Sequence, residues 1–386
     1  MVATENALKN EILLNPRFTP QETASLIEVA QKVSSEMKLQ GHIWLSTSGS
    51  TSEAAIGNKL VALSKAAFLA SAQSVNEHLQ VSSSDTWLQV LPRFHVGGLG
   101  IEFRARLSGS RVVSDFEKWN AERAHQLILA EKITIASMVP TQIFDLIQAK
   151  LKSPKYLRAV IVGGGALTEA LYLEARRWGW PLLPSYGMTE TCSQIATATL
   201  ESLLSSERMP QPKKLNHVEW RVTADKILEV AGTSLMTCYG QRQADGSIRG
   251  WDPKAEGWFT SEDHVELLGS FVRVTGRKSD FVKIGGEGSS MARLREIWDR
   301  ILEREKCGTR QQFVLIDAKS ERLGSEIHLV CALPSPDTSV GFLRDIFNRE
   351  VLPFERIREV KYIDQIPRSD LGKVLWAKLK RDLYGS

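Results

Sequence analysis

The strongest constraint on the fold is a regular alternation of short apolar runs with helix signals along the first half of the chain. Strands are predicted at 87–91, 111–113, 133–138 and 159–162, and helices at 64–79, from Asn120 to about 131, from Thr141, and after Thr168. An earlier helix should begin at Thr19-Pro20, with Glu22 completing a capping box. Such alternation is typical of an α/β fold with a largely parallel sheet. Ligands bind such sheets in loops beyond the carboxyl ends of the strands.

Six hydroxyl residues and one glycine make up the loop 46–52, which follows the apolar run Ile43-Trp44-Leu45. A loop of this composition can turn many N–H and O–H donors toward the oxygens of a polyphosphate. Ser/Gly-rich stretches are also common as flexible linkers. The loop alone leaves both interpretations open.

Composition predicts a soluble protein with a large core and two or three domains, since 42% of the 386 residues are apolar and 24% are charged. The net charge of +4 comes from interspersed residues, which argues against a dedicated nucleic-acid binder. The four cysteines lie far apart and should be free thiols in a reducing compartment. The N-terminus resembles no signal peptide, and no apolar run approaches a membrane span. We therefore expect a cytoplasmic protein.

Beyond about residue 215 the pattern changes to short strands separated by turn signals. A boundary is expected near 277–280, which gives a large domain at 1–277 and a small one at 278–386. The small domain should be α+β, with helices at 291–305 and 340–348 and strands at 313–316 and 326–331.

Further motifs follow the loop in a fixed order: Gly163-Gly164-Gly165, Ser185-Tyr186-Gly187-Met188-Thr189-Glu190-Thr191, Gly257-Trp258-Phe259-Thr260-Ser261-Glu262-Asp263, Gly276-Arg277 with Gly285-Gly286-Glu287-Gly288, and Pro367-Arg368-Ser369-Asp370-Leu371-Gly372-Lys373. In this order they resemble the superfamily of adenylate-forming enzymes, which includes acyl- and aryl-CoA ligases, luciferases and peptide-synthetase adenylation domains. The resemblance covers residues 42–380. It implies a large α/β domain with mainly parallel sheets and a small mobile α+β domain.

The resemblance also implies an ATP site. It assigns the phosphate loop to Thr47, Ser48, Gly49, Ser50, Thr51 and Lys59, and the adenine pocket to Gly163, Gly164 and Gly165. In the segment that begins at Ser185, it implies that Tyr186 and Gly187 lie at the adenine, Thr189 contacts phosphate, and Glu190 binds Mg²⁺. It assigns the ribose hydroxyls to Asp263 and a nucleotide contact to Arg277. A carboxylate is a natural acceptor for a vicinal diol, and Mg²⁺ commonly joins a carboxylate to phosphate oxygens.

In the small domain, the resemblance makes Lys373 the catalytic lysine. It places Gly285, Gly286, Glu287 and Gly288 along the entry path of the coenzyme A thiol. The hinge position corresponds to Ser279, and its neighbours Lys278 and Asp280 remain alternatives. A single exposed lysine is ordinarily only solvated, and the surrounding motif is what favours a role for Lys373.

Residues 91–109 and 136–141 resemble the 2-succinylbenzoate–CoA ligase branch of this superfamily. In that branch, residues matching Arg104 and Ser137 hold the benzoate carboxylate, and a histidine matching His95 lies beside the reacting carboxylate. A guanidinium suits a second carboxylate on the substrate. From sequence alone, Arg104 is equally suited to a surface ion pair and His95 to a buried structural role.

Three hypotheses follow from these motifs. The first is an ATP- and Mg²⁺-dependent ligase that joins 2-succinylbenzoate to coenzyme A for menaquinone synthesis. The second is a CoA ligase for another aryl or short acyl acid, and the third is a non-catalytic nucleotide-binding homologue. The absence of a Gly-Lys-Ser/Thr step at the end of the loop argues against an ordinary P-loop NTPase. The early position of the phosphate loop predicts an N-terminally shortened large domain, and the sequence leaves open whether the chain forms a homo-oligomer.

Overall fold

The computed structural model describes residues 8–47, 58–205, 207–277, 280–285, 287–307, 312–320, 322–332, 338–369 and 372–385. The chain divides into two compact units. The first comprises Met1–Arg221, Glu229–Thr260 and Leu267–Val272, and the second comprises Val222–Leu228, Ser261–Glu266 and Arg273–Ser386. The boundary after residue 277 stays a prediction. Among the helices in the described ranges, none has the length and apolar character needed to cross a lipid bilayer.

The helices are α1 (Pro20–Glu36), α2 (Lys65–His78), α3 (Val96–Ser108), α4 (Ala121–Ala130), α5 (Pro140–Gln148), α6 (Glu169–Arg177), α7 (Met291–Glu305), α8 (Thr338–Glu350) and α9 (Trp376–Tyr384). The strands up to residue 232 are β1 (Glu11–Leu13), β2 (His42–Ser46), β3 (Leu60–Ser64), β4 (Thr86–Gln89), β5 (Arg111–Ser114), β6 (Ile135–Met138), β7 (Ala159–Val162), β8 (Leu182–Met188), β9 (Ser193–Thr197), β10 (Lys213–Lys214), β11 (Val218–Val222) and β12 (Ile227–Gly232). The later strands are β13 (Cys238–Arg242), β14 (Ile248–Trp251), β15 (Phe259–Leu268), β16 (Phe271–Arg277), β17 (Phe281–Ile284), β18 (Glu287–Ser290), β19 (Phe313–Ser320), β20 (Gly324–Cys331) and β21 (Ile357–Tyr362).

The predicted α/β fold is confirmed. Strands β8, β7, β6, β4 and β5 lie side by side and pair in parallel. One face packs against α4, α5 and α6 through a core that includes Ile128, Ile143 and Tyr172. The opposite face packs against α2 and α3 through a core that includes Val75 and Ile101. Because both faces are covered, the strands are buried and read as nearly continuous apolar runs.

Local capping explains why most helix starts were predictable. The Thr19 side chain caps α1 as part of a capping box with Glu22, Asn120 caps α4, and Thr168 caps α6. Helix α5 begins at Pro140, one residue before the predicted Thr141. The N–H of Val139, the residue before this helix, donates to the side-chain oxygen of Gln142 at 3.0 Å.

The segment that begins at Ser185 is largely strand. Strand β8 extends through Met188, and only 189–191 form a short 3-10 turn. Up to Pro184 this strand pairs in parallel with β7, and from Ser185 it pairs antiparallel with β9. This change of partner carries the strand past the end of the parallel sheet and places the polar segment at its edge.

A second sheet of the first unit has the order β1-β2-β3-β13-β14 and is largely antiparallel. Helix α1 covers one face of it, where Val29 and Val33 pack against Trp44 and Cys238. Strands β1 and β3 were not predicted. Both are short, and β1 consists of half-buried residues without a clear alternation.

The second unit contains the predicted α+β fold. Strands β19, β20 and β21 form a three-stranded sheet, and β17 pairs with β18 as a hairpin. Alternate residues of β19 point to opposite faces, so that Phe313 and Leu315 pack with α7 and α8 while Val314 and Ile316 pack with Leu379 of α9. Helix α7 has the bounds predicted from its apolar face.

Candidate functional site

The ends of the Ser/Thr loop are joined across the β2–β3 hairpin. The Thr47 N–H donates to the Lys59 carbonyl at 2.9 Å, and Ser46 pairs with Leu60. The predicted loop residues Ser48, Gly49, Ser50 and Thr51 lie outside the described residues, as do the predicted hinge Ser279 and Gly286 of the thiol path. The structure therefore places both ends of the predicted phosphate loop at one hairpin of the second sheet.

Lys59, Tyr239 and Glu190 form one polar constellation beside this hairpin. The Tyr239 hydroxyl donates to Glu190 Oε1 at 2.8 Å, and Lys59 Nζ lies 3.7 Å from the centroid of the Tyr239 ring. The Met236 N–H also donates to the Glu190 carbonyl at 2.8 Å. Two predicted ATP-site residues, Lys59 and Glu190, are thus brought together by a tyrosine that the motifs did not single out.

The glycine-rich segment lies against the segment that begins at Ser185. A Cβ on Gly163 would be 2.7 Å from Ser185 Oγ, which itself donates to the Val162 carbonyl at 3.0 Å. Gly164 adopts φ +76°, a conformation that glycine allows without strain. Tyr186 and Thr189 are half-buried on the same edge. The predicted adenine-pocket residues therefore do lie together.

A close backbone approach requires the glycine at 187. A Cβ there would lie 2.0 Å from the Ser193 carbonyl oxygen. The chain then turns through Cys192 at φ +56° and Ser193 at φ +124°, two conformations that side-chain-bearing residues rarely adopt. This turn directs the Ser193 hydroxyl into the interior, where it accepts a hydrogen bond from Arg104 Nη2 at 3.2 Å.

Arg104 is the most unusual side chain of the first unit because it is 1% exposed. No carboxylate pairs with it among the described residues. Burial lowers the pKa of its guanidinium to about 10. Among the described residues, its guanidinium contacts the Ser193 hydroxyl and the Trp87 ring, whose centroid is 5.7 Å from Cζ. A buried cation without an anion is costly, and a bound carboxylate would offset that cost.

In the described part of the chain, several buried polar atoms without a hydrogen-bond partner lie on Arg104 itself or on elements of the core that packs around α3. They are Arg104 Nε itself, Ser137 Oγ, Trp87 Nε1, Asn76 Oδ1 and both ring nitrogens of His217. Ser137 lies beside Gln89 in the sheet, on the face that α3 covers. We call this set, with Ser193, the polar chamber. Its donors suit an anion that carries several acceptor oxygens.

The predicted His95 lies at the start of α3, about two and a half helical turns before Arg104. Its ring is half-buried, and its centroid is 4.7 Å from that of Phe94. Gly98, in the next turn, must lack a side chain because a Cβ would be 2.3 Å from two carbonyl oxygens, those of Leu91 and Pro92. Helix α3 therefore connects His95 rigidly to Arg104.

The remaining predicted nucleotide residues lie in the second unit. Asp263 is buried and pairs with Arg277, whose Nε lies 2.9 Å from Asp263 Oδ1. The Arg277 N–H donates to Asp280, which also pairs with Arg295 at 2.6 Å. The predicted ribose-binding carboxylate and the predicted nucleotide-binding arginine are thus direct partners.

Lys373 lies exposed at the end of a short hairpin in the second unit. The Ser369 N–H donates to the Lys373 carbonyl at 2.7 Å, and the Lys373 N–H donates back to Ser369 Oγ at 3.2 Å. The predicted thiol-path residues Gly285, Glu287 and Gly288 belong to the β17–β18 hairpin, with Gly285 at φ +61°. The motif that includes Ser369 therefore has a structural purpose, since it fixes the backbone that carries Lys373.

Sequence reasoning missed Ser193, Tyr239 and His217. Each contacts or adjoins a predicted residue that is distant in sequence, 89 positions for Ser193 with Arg104 and 49 for Tyr239 with Glu190. None of the three stands in a recognised motif. The position of Ser193 two residues after the motif residue Thr191 was the one signal that pointed to it.

The two-unit α/β architecture is the fold of adenylate-forming CoA synthetases. The structure matches o-succinylbenzoate CoA synthetase from Bacillus subtilis in complex with the acyl-adenylate intermediate OSB-AMP, with a TM-score of 0.77 and 22% identity over 98% of this chain and 90% of that one. It also matches the same Bacillus subtilis protein in complex with ATP and magnesium ion, with a TM-score of 0.76 and 22% identity over 98% and 91% of the two chains.

The chain belongs to the AMP-binding enzyme family, whose model matches residues 15–234. The expected superfamily is therefore confirmed. The chain is 28% identical over 324 residues to 2-succinylbenzoate–CoA ligase from Bacillus subtilis (strain 168). That match covers 80% of this chain and 63% of the relative's length.

Proposed function

We propose that this protein is an ATP-dependent ligase that adenylates 2-succinylbenzoate and transfers the acyl group to coenzyme A, with release of AMP and pyrophosphate. The observation that carries the proposal is the buried Arg104, which donates to Ser193 and has no carboxylate partner in the described ranges. An apolar acyl chain offers nothing to such a cation, whereas a dicarboxylate supplies its anion. The relatives that share the family also carry the name of this activity.

In the first step, a carboxylate oxygen of the acid attacks the α-phosphorus of ATP, and the bond to the pyrophosphate oxygen breaks. Both reactants are anions, so the barrier falls where cations offset the charge of the transition state. We assign that charge to the ammonium of Lys373, and the ATP contacts to Thr47, Lys59, Tyr186 and Asp263. His95, at the start of α3, is assigned to the reacting carboxylate.

In the second step, the thiolate of coenzyme A attacks the acyl carbon and AMP departs with the bonding electrons. This step requires Lys373 to leave and a path for the thiol to open. A hinge movement at the segment 278–280 would provide both, as in other hinged enzymes. The β17–β18 hairpin with Gly285 and Glu287 is assigned to that path.

Glu190 fits the role of a magnesium ligand. It offers one carboxylate held by the Tyr239 hydroxyl. The described residues hold no group of three metal-ligating side chains. Mg²⁺ at such sites commonly takes one or two protein carboxylates and completes its shell with phosphate oxygens and water. When bound, the ion would neutralise part of the triphosphate charge.

Tyr239→Phe should raise the Mg²⁺ concentration needed for half-maximal adenylation by about tenfold or more, because partners that orient a ligating carboxylate contribute that much to metal affinity. The ring, its contact with Lys59 and its packing on Trp251 remain. Pyrophosphate release at varied Mg²⁺ measures the effect. Tyr172→Phe is the control, since its buried hydroxyl lies far away in the helix-covered core. An unchanged Mg²⁺ dependence in Tyr239→Phe would contradict this assignment.

A panel of acids tests the proposed function directly. The purified protein with ATP, Mg²⁺ and coenzyme A should release pyrophosphate and form AMP with 2-succinylbenzoate. Its kcat/KM should exceed that for 3-benzoylpropionate, benzoate or butyrate by about 100-fold or more, because these lack the second carboxylate and would leave buried donors unpaired. A preference for a monocarboxylate would indicate a different CoA ligase. No pyrophosphate with any acid would indicate a non-catalytic nucleotide-binding protein.

A further inference from the structure

His217 lies at the polar chamber and has no part in the mechanism described so far. Both of its ring nitrogens are buried and lack a hydrogen-bond partner among the described residues. Such groups are rare in folded proteins, since an unsatisfied buried donor or acceptor costs stability. The ring therefore requires a partner that the described residues do not supply.

Three hydrogen bonds hold the backbone around His217. The N–H of Leu215, two residues earlier, donates to the Ile195 carbonyl at 2.8 Å. The N–H of Asn216, the preceding residue, donates to Ser74 Oγ at 3.0 Å. The His217 carbonyl accepts from the Thr233 N–H at 3.2 Å. A site built from such fixed backbone holds its side chain in a defined position, as ligand recognition requires.

Packing joins this segment to Arg104. Leu215 lies in the same core cluster as Ile101 and Ala105, which flank Arg104 on α3. Helix α2 contacts both parts, since Ser74 holds Asn216 and Asn76 Nδ2 donates to the Arg104 carbonyl at 2.8 Å. The segment that carries His217 therefore packs beside α3 and beside β9, the strand whose Ser193 binds the guanidinium, and the charge of Arg104 acts on the His217 ring.

The charge state of His217 agrees with this placement. Burial, together with a smaller effect of the charge of Arg104, lowers the pKa of the imidazole to about 4. At neutral pH the ring is therefore uncharged, with one N–H donor and one acceptor nitrogen. One guanidinium and one carboxylate balance in charge, and a neutral donor adds a hydrogen bond without adding a second cation.

We propose that His217 is a specificity-determining residue whose ring N–H donates to the second, non-reacting carboxylate of the acyl substrate, beside the guanidinium of Arg104. This inference rests on the proposed ligase function and extends it to a residue outside the recognised motifs. The chamber then recognises an aromatic dicarboxylate by a cation and by neutral donors together.

The test compares 2-succinylbenzoate with 3-benzoylpropionate, the same molecule without the ring carboxylate. In His217→Phe, the ratio of kcat/KM for the two acids should fall by about tenfold to a hundredfold, mainly through the KM of the dicarboxylate, because a hydrogen bond to a charged group is lost. His217→Gln, which keeps an N–H donor, should retain most of the ratio. His125→Phe is the matched control, as the half-buried His125 lies on α4, on the opposite face of the sheet, and contacts the Lys152 carbonyl.

A ratio in His217→Phe equal to that of the wild type would overturn the proposal. If this variant does not fold, His217→Glu replaces it. The introduced carboxylate would pair with Arg104 and exclude the dicarboxylate, and retention of the wild-type ratio would again overturn the proposal.

Calorimetric titration without ATP separates this proposal from the ligase function. Binding of 2-succinylbenzoate that depends on His217 in this titration, together with no pyrophosphate release when ATP and Mg²⁺ are supplied, would support the chamber and refute the ligase. Adenylation of 2-succinylbenzoate at wild-type efficiency by His217→Phe would support the ligase and refute the role of His217. Binding of neither acid to the wild type would refute the chamber.

Discussion

Replacing Lys373 with alanine should slow acyl-adenylate formation by a factor of about 10² to 10³, because a preorganised group that stabilises transition-state charge typically contributes that much. The side chain is exposed, and the hairpin that carries it is closed by backbone and Ser369 contacts that alanine leaves intact. The fold should therefore survive. Pyrophosphate release measures the first step, and titration with ATP should show affinity within about threefold of the wild type.

Two comparisons make this result specific. Lys378 is another exposed lysine and lies on α9. Its replacement in Lys378→Ala should leave pyrophosphate release unchanged. Supplied with preformed acyl-adenylate and coenzyme A, the Lys373→Ala protein should form the thioester at close to the wild-type rate, since Lys373 is assigned to the first step alone. An unchanged first step would remove Lys373 from the mechanism.

Elements set by local chemistry were predictable from the sequence. The side chains of Thr19, Asn120 and Thr168 each accept a hydrogen bond from an N–H three residues later. Such caps can be recognised from a few neighbouring residues of the sequence. Helix α7 was likewise predictable because its apolar residues recur with the period of a helix and pack on one face. These features need no knowledge of the rest of the chain.

Features that depend on distant partners were not predictable. The switch of β8 from a parallel to an antiparallel neighbour is determined by β9, which pairs with it through a register shift at Tyr186. The burial of Arg104, which sequence alone weighed equally against a surface ion pair, follows from the packing of α3 on the sheet. The motifs located candidate residues, and the tertiary structure brought Tyr239, Ser193 and His217 to them.

Arg104→Met should have opposite effects on activity and on stability. Adenylation of 2-succinylbenzoate should fall in kcat/KM by about 30-fold to 1,000-fold, because the substrate carboxylate would enter a buried site without its cation. Stability in the absence of substrate should be unchanged or higher, since a desolvated charge without an anion is replaced by an apolar side chain of similar length. Arg104→Lys should lose most of the activity too, because an ammonium does not reproduce the fork of a guanidinium.

Arg158→Met provides the contrast that makes this prediction decisive. Arg158 forms a two-point ion pair with the buried Asp85, at 2.8 Å from each carboxylate oxygen. Replacing Arg158 leaves the buried Asp85 carboxylate without its cation, which should destabilise the protein by about 3 kcal/mol. Urea unfolding of both variants, beside the two-acid assay, compares a cation kept for structure with one kept for a ligand. A large loss of stability in Arg104→Met would show that the charge of Arg104 stabilises the fold. Preserved stability with lost activity would indicate a binding site, where a group that is costly to folding is retained for function.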